Sequence, residues 1–256
     1  MPNIFIIFAF VLGIVIGSFL NAVGLRYNTG MTLKGRSKCF SCGKNLEWHE
    51  LIPLFSFIIQ GGECKGCKSK ISWQYPLIES VAGVLFVLIF YFFLPLDLES
   101  SITTVFYLFI TCILLVITIY DIRHKIIPDE LVYTFDFIVL VKLFIGPGIT
   151  LMMPETMDLL AGPILALPFI CMWLFSKGTW MGLGDAKLVL GIGWLLGLVY
   201  GVSAIILAFW IGAFVSVVWV YIVFKKMKSR YEIPFGPYLI LGMYLVLFWG
   251  IKVIDF

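Results

Sequence analysis

The chain has 256 residues, of which 61% are hydrophobic and 13% charged, and its mean hydropathy is +1.06; soluble domains run at about 45–50% apolar and about 25% charged. This balance excludes an ordinary soluble domain, and it excludes a disordered chain, which cannot keep so much apolar surface in water. The net charge of +3 is too slight to draw nucleic acid, so the lipid bilayer is the partner to expect.

Apolar runs taken in chain order predict spans over 3–24, 76–95, 101–120, 130–146, 157–175, 186–200, 203–224 and 236–252. A crossing helix needs about 20 largely apolar residues. The expected fold class is therefore all-α and polytopic, with about eight transmembrane helices in one bundle. The sixth run is the shortest, and its division from the seventh is placed at Tyr200-Gly201. The first run has no cationic residues ahead of it, its first Arg follows at Arg26, and no small-residue cleavage site succeeds it. It reads as a retained span rather than a cleaved signal.

Between the first two spans lies the one extended hydrophilic stretch, so the chain divides into a first span (1–25), a cysteine-rich loop (26–75) and a membrane-embedded core (76–256). Sixteen of the 18 Lys and Arg fall on one side of the predicted topology. They are Arg26, Lys34, Arg36, Lys38, Lys44, Lys65, Lys68 and Lys70 in the loop, then Arg123, Lys125, Lys177, Lys187, Lys225, Lys226, Lys228 and Arg230. The connections 96–100, 147–156 and 200–202 contain none. Short cytoplasmic loops are enriched in these residues, which puts the loop in the cytoplasm and both termini outside.

The loop carries Cys39-Phe-Ser-Cys42 and Cys64-Lys-Gly-Cys67, with 21 residues between the pairs. Two C-x-x-C knuckles can close a tetrahedral zinc site at about 2.3 Å per sulfur. The competing reading is two disulfides, which a reducing cytoplasm disfavours. Four sulfur ligands leave no open position, so the zinc is expected to be structural, supplying folding free energy that the loop's small core cannot.

Ionisable residues at membrane depth are costly and mark candidate sites. Asp121 ends one apolar run, and Asp185, 64 positions later, follows Met181-Gly-Leu-Gly184 at the start of another. Both are expected at the cytoplasmic rim. If they meet, the two carboxylates share one proton, one acting as base on water and the other as acid, as in an aspartic-protease dyad. The helix macrodipole favours charge at Asp185, at a helix start, over Asp121, at a helix end. Spacing alone equally admits capping residues, or ion pairs with Arg123, Lys125 or Lys187. Gly182 and Gly184 permit a tight turn and close backbone approach.

Other residues read more plainly. Asp129, behind Pro128, is a helix-start signal. Glu79 opens the second span and could line the site or pair with a loop cation. Asp136 and Lys142, six apart, lie on different helix faces. Pro234-Phe-Gly-Pro237 breaks the chain before the last span, exposing backbone groups that are tolerated at depth only beside protein or a wet cavity; Pro234 and Gly236 are supporting candidates.

Several motifs together resemble the bacterial type IV prepilin peptidases, a family that includes the late-competence leader peptidases. They are Gly17-Ser-Phe-Leu-Asn-Ala-Val-Gly-Leu-Arg26, the two knuckles, Trp48-His-Glu-Leu-Ile-Pro53, Ile71-Ser-Trp-Gln-Tyr-Pro-Leu-Ile-Glu79, Asp121 with Ile127-Pro-Asp129, Gly182-Leu-Gly-Asp-Ala-Lys187, and Ile233-Pro-Phe-Gly-Pro237. The resemblance implies that Asp121 and Asp185 are the catalytic pair of a GxGD-type intramembrane aspartic protease in the bacterial inner membrane. Its substrates would be prepilins or pseudopilins, cut after a glycine between a short basic leader and an apolar helix. Relatives with the cysteine loop often also methylate the new amino terminus using S-adenosylmethionine. Phe40 and His49 depart from the family's usual Pro and Tyr. Readings from other classes are a proton- or cation-coupled transporter, or a zinc-bearing scaffold of a pilus or secretion machine.

Overall fold

The computed structural model describes residues 3–30, 37–39, 41–223 and 233–254. Lys34, Arg36, Phe40, Lys225, Lys226, Lys228 and Arg230, which enter the sequence reading above, lie outside the described residues. The elements are α1 (Asn3–Arg26), α2 (Phe55–Ile59), α3 (Gln74–Phe92), α4 (Leu98–His124), α5 (Asp129–Leu143), α6 (Thr156–Ser176), α7 (Leu183–Val223) and α8 (Gly236–Trp249). Among the described residues there are no strands beyond isolated bridges, as the all-α expectation requires. Among the described residues five helices are long and apolar enough to cross a membrane: α1, α3, α4, α6 and α7. The protein is a multi-pass membrane protein.

The eight predicted runs are all helical, and the sixth and seventh follow one another inside α7, which is two helices joined across a kink. The division is not at Tyr200-Gly201. It lies at Gly197, the non-helical residue inside α7, with φ 75 and ψ 177. That backbone region is essentially closed to any residue with a Cβ, so the break sits at a glycine, and helix resumes at once through Tyr200 and Gly201.

The chain forms two compact units, Met1–Ile119 and Tyr120–Phe256. In the first, α1 packs on α3 through small residues: a Cβ on Gly13 would stand 2.7 Å from the Ala82 carbonyl oxygen, and one on Gly17 2.7 Å from Ala82 Cβ. Lipid offers helices no hydrophobic reason to associate, so close backbone approach and its dispersion contacts hold them. Asn21, fully buried on α1, donates to the Tyr75 carbonyl of α3 at 3.3 Å.

In the second unit α7 is the hub, packed against α5, α6 and α8. Gly193 lies so close to Gly162 of α6 that a Cβ would stand 2.7 Å from its Cα. Trp194 Nε1–H donates to the Leu159 carbonyl at 2.9 Å. Gly242 of α8 lies directly against the Ala204 carbonyl of α7.

Candidate active site

Asp121 and Asp185 both lie in the second unit and are buried, 3% and 9% exposed. Asp121 occupies the last turn of α4. Just beyond that helix Lys125 takes a left-handed φ of 56 and its N–H closes the turn onto the Asp121 carbonyl at 2.7 Å. Asp185 occupies the first turn of α7, its N–H donating to the Gly182 carbonyl at 3.3 Å. A Cβ on Gly182 would meet Asp185 Oδ2 at an ordinary 3.5 Å.

Ile127 links the two helix ends. A Cβ on Gly184 would stand 2.8 Å from Ile127 Cβ, and one on Gly236 would stand 3.2 Å from Ile127 Cδ1 and 2.7 Å from Asp121 Oδ2. Ile127, 7% exposed, is therefore wedged between the turn that carries Asp185 and the start of α8 that touches Asp121. Among the described residues neither carboxylate has an ion-pair partner.

The break at Pro234-Phe-Gly-Pro237 begins α8, with Phe235 as its cap and Gly236 as its first residue. The first N–H groups of a helix have no partner within it. Here the Gly236 N–H donates to Asp121 Oδ2 at 3.1 Å. Pro234 stands half-buried two residues ahead.

Lys187 is held by neither member of the pair. Its Nζ lies 2.8 Å from Asp129 Oδ1 and 4.7 Å from the centre of the Tyr133 ring. Asp129 opens α5 as the Pro128-Asp129 signal predicts, and its carboxylate ties α5 to α7. Asp136, on the same face of α5, is buried against Gly191 of α7 with Oδ1 unpartnered. Lys142 lies apart, donating to the Ile145 carbonyl at 3.4 Å.

Glu79 belongs to the first unit and is 5% exposed. Among the described residues it pairs with no loop cation; instead its Oε2 accepts the Leu54 backbone N–H at 2.8 Å. Glu79 thus fastens the cysteine loop to α3.

The two knuckles of that loop are built alike. Cys39 N–H donates to the Lys44 carbonyl and Cys64 N–H to the Ser69 carbonyl, each at 2.9 Å; Gly43 N–H returns to Cys39 O and Lys68 N–H to Cys64 O, again each at 2.9 Å. The residue after each second cysteine takes a left-handed φ, 72 at Gly43 and 60 at Lys68. Such turns aim backbone N–H groups at sulfur.

The Sγ atoms of Cys39, Cys42, Cys64 and Cys67 lie within 4.8 Å of one another, with 3.9 Å between Cys39 and Cys67. Tetrahedral zinc at about 2.3 Å per sulfur requires sulfurs about 3.8 Å apart, so the set fits a metal ion, and all four thiols are free rather than paired in disulfides. The Cys42 and Ser41 amides hold the Cys39 thiol down at about 6, and the Ser69 hydroxyl and amide lower that of Cys67. At Cys42 the Lys44 amide favours the thiolate, but Cys67 and Cys39 outweigh it and push the thiol up to about 11. Four crowded thiolates need a cation among them. His49 is occupied elsewhere, 3.4 Å from Glu47.

Comparison with known proteins follows the same two regions. The bacterial peptidase A24 N-terminal domain matches residues 11–93 and the type IV leader peptidase family matches residues 108–217. A prepilin leader peptidase/N-methyltransferase of Xanthomonas campestris pv. campestris is 30% identical over 95% of this chain and 91% of its own. Proteins of the same name from Bacillus subtilis and Vibrio cholerae are 29% and 28% identical, covering 96% and 97% of this chain and 95% and 98% of their own. No solved structure matches. With its two halves matching the two domains and a relative at 30% identity along nearly its whole length, this chain belongs to the type IV leader peptidase family.

Proposed function

We propose that the protein is an intramembrane aspartic endopeptidase that removes the short basic leader of type IV prepilins or pseudopilins after a glycine at the cytoplasmic membrane face. The observation that carries this reading is the pair Asp121 and Asp185: both buried, both beside residues that pack on Ile127, and neither paired with a cation among the described residues. Two carboxylates in such a setting hold one proton between them. The ionised member, assigned to Asp185 in the first turn of α7, takes a proton from water as its oxygen attacks the scissile carbonyl. The protonated member, Asp121, donates to the carbonyl oxygen. Collapse of the tetrahedral diol breaks the C–N bond and returns a proton to the leaving amine. The Gly236 amide orients the Asp121 carboxylate throughout.

The topology that suits this chemistry has eight crossings in the inner membrane, both termini outside and the aspartates at the inner rim, where a cytoplasmic leader and water both reach them. The first span (1–25) and the cysteine loop (26–75) precede the membrane-embedded protease core (76–256). Zinc held by Cys39, Cys42, Cys64 and Cys67 would brace the loop, and with four sulfur ligands it would leave no position for substrate. The names of the relatives support a second activity, methylation of the new amino terminus, for which S-adenosylmethionine would supply the methyl group.

Cleavage of a prepilin by the purified protein in lipid tests the reading. Asp121→Asn and Asp185→Asn should each lower kcat by about 10²–10⁴-fold or more, with the variants still folded. Cleavage retained by both variants would leave a transporter or a scaffold as the better reading, and peptide masses from the same reaction run with a labelled methyl donor report the second activity separately.

A further inference from the structure

The cysteine loop has an exposed apolar face. On α2, Phe55, Ile58 and Ile59 follow the i, i+3, i+4 spacing of one helix face and are 59%, 74% and 76% exposed. Phe57 points the other way, 4.9 Å from the Trp73 ring and against Gly62. Trp48 and Trp73 flank this face at 78% and 76% exposed. The arrangement is the inverse of a helix in water, where the apolar stripe is the covered one.

Its height is set by Glu79. Leu54, the residue immediately before α2, donates its N–H to Glu79 Oε2 at 2.8 Å. Glu79 lies five residues inside α3, a helix of membrane-crossing length, so about 7.5 Å along its axis. Trp73 immediately precedes the same helix. Therefore α2 is fastened alongside the first turns of a membrane helix. Lys65, Lys68 and Lys70 of the same loop are exposed.

We propose that α2, with Trp48 and Trp73, rests in the headgroup and acyl boundary of the bilayer that α3 crosses, and that the loop lysines draw it to anionic lipid. Three arguments select lipid as the occupant. The patch is continuous with a membrane helix, its tryptophans are the residue type that gathers at interfaces, and exposed lysines complement anionic headgroups. The cysteine centre is thereby carried on a foot planted in the leaflet instead of swinging on a tether in the cytoplasm.

The test uses the full chain in nanodiscs of phosphatidylethanolamine and phosphatidylglycerol. A benzophenone amino acid replaces Ile58 or Ile59, with Val84 of α3, 51% exposed, as the bilayer reference. Variants are used only if their melting temperature matches the parent. On irradiation, lipid adducts at positions 58 and 59 should equal those at 84, and replacing phosphatidylglycerol by phosphatidylcholine should reduce them at 58 and 59 alone. Adducts to a second copy or to an added prepilin, or no lipid adducts at 58 and 59 while 84 yields them, would overturn the proposal. Equal labelling in neutral lipid would overturn its anionic part. The readout does not depend on peptidase activity.

Discussion

The backbone N–H of Gly236 points at Asp121 Oδ2 across 3.1 Å, and a Cβ on that glycine would stand 2.7 Å from the same oxygen. The last helix thus begins on the carboxylate that ends α4, and only a residue without a side chain lets it do so.

Gly236→Ala should displace the Asp121 carboxylate or push α8 away from it. A shift of about 1 Å at a catalytic group costs about 10²-fold in rate. We expect a loss of that order in kcat for prepilin cleavage, with little change in KM, measured on variant protein that remains folded.

Lys187 and Asp129 form an ion pair at 2.8 Å, but Asp129 is 61% exposed in its side chain. Pairs open to water contribute about 0.2–1 kcal/mol. Lys187→Met and Asp129→Asn should each destabilise the protein slightly, and the double variant should lose less than the sum. A double-mutant cycle from denaturation midpoints reads the coupling, which should not exceed about 1 kcal/mol.

Gly197 adopts φ 75 and ψ 177 in the middle of α7. A side chain there meets the backbone strain of a region reserved for glycine, about 1–3 kcal/mol. Gly197→Ala should therefore lower thermal stability by that amount or straighten α7. By contrast Gly201→Ala, at the division expected from sequence, clashes with the Leu165 side chain and meets Gly193 Cα at an ordinary 3.6 Å, so it should be relieved by Leu165→Ala.

In the cysteine loop Glu50 accepts the Glu47 N–H at 2.9 Å and the Lys44 ammonium at 3.1 Å. The Glu47 amide first, and Lys44 with it, hold its carboxyl below the ordinary glutamate value. A carboxyl lowered on folding stabilises the folded loop fully above its unfolded value, about 4.3, and loses that contribution as pH falls through the lower folded value. Amide exchange at Glu47–Leu51, corrected for intrinsic rates, should rise as pH drops below about 4, and Glu50→Gln should abolish this dependence.

Much of this protein is legible in one dimension. The apolar runs at 3–24 and 157–175 become α1 and α6 almost residue for residue, because a helix in lipid must satisfy all its backbone groups within itself. The knuckles are equally local: a C-x-x-C turn aims two sulfurs whatever surrounds it, and spacing alone placed Cys39, Cys42, Cys64 and Cys67 as one set. Asp121 and Asp185 stood out as carboxylates at the ends of apolar runs, where an ionisable group needs a reason to exist.

Tertiary structure decided the rest. That Ile127 is wedged between Gly184 and Gly236, that the Gly236 amide finds Asp121, that Lys187 pairs with Asp129 and that Glu79 serves a loop amide all join residues from 25 to 115 positions apart. No local period encodes such partners, because they depend on which helices pack and at what height. The break in α7 shows the same boundary: Gly197 and Gly201 are both glycines in one apolar run, and it is the packing of α7 on its neighbours, not the intrinsic freedom of either residue, that selects which of them leaves the helix.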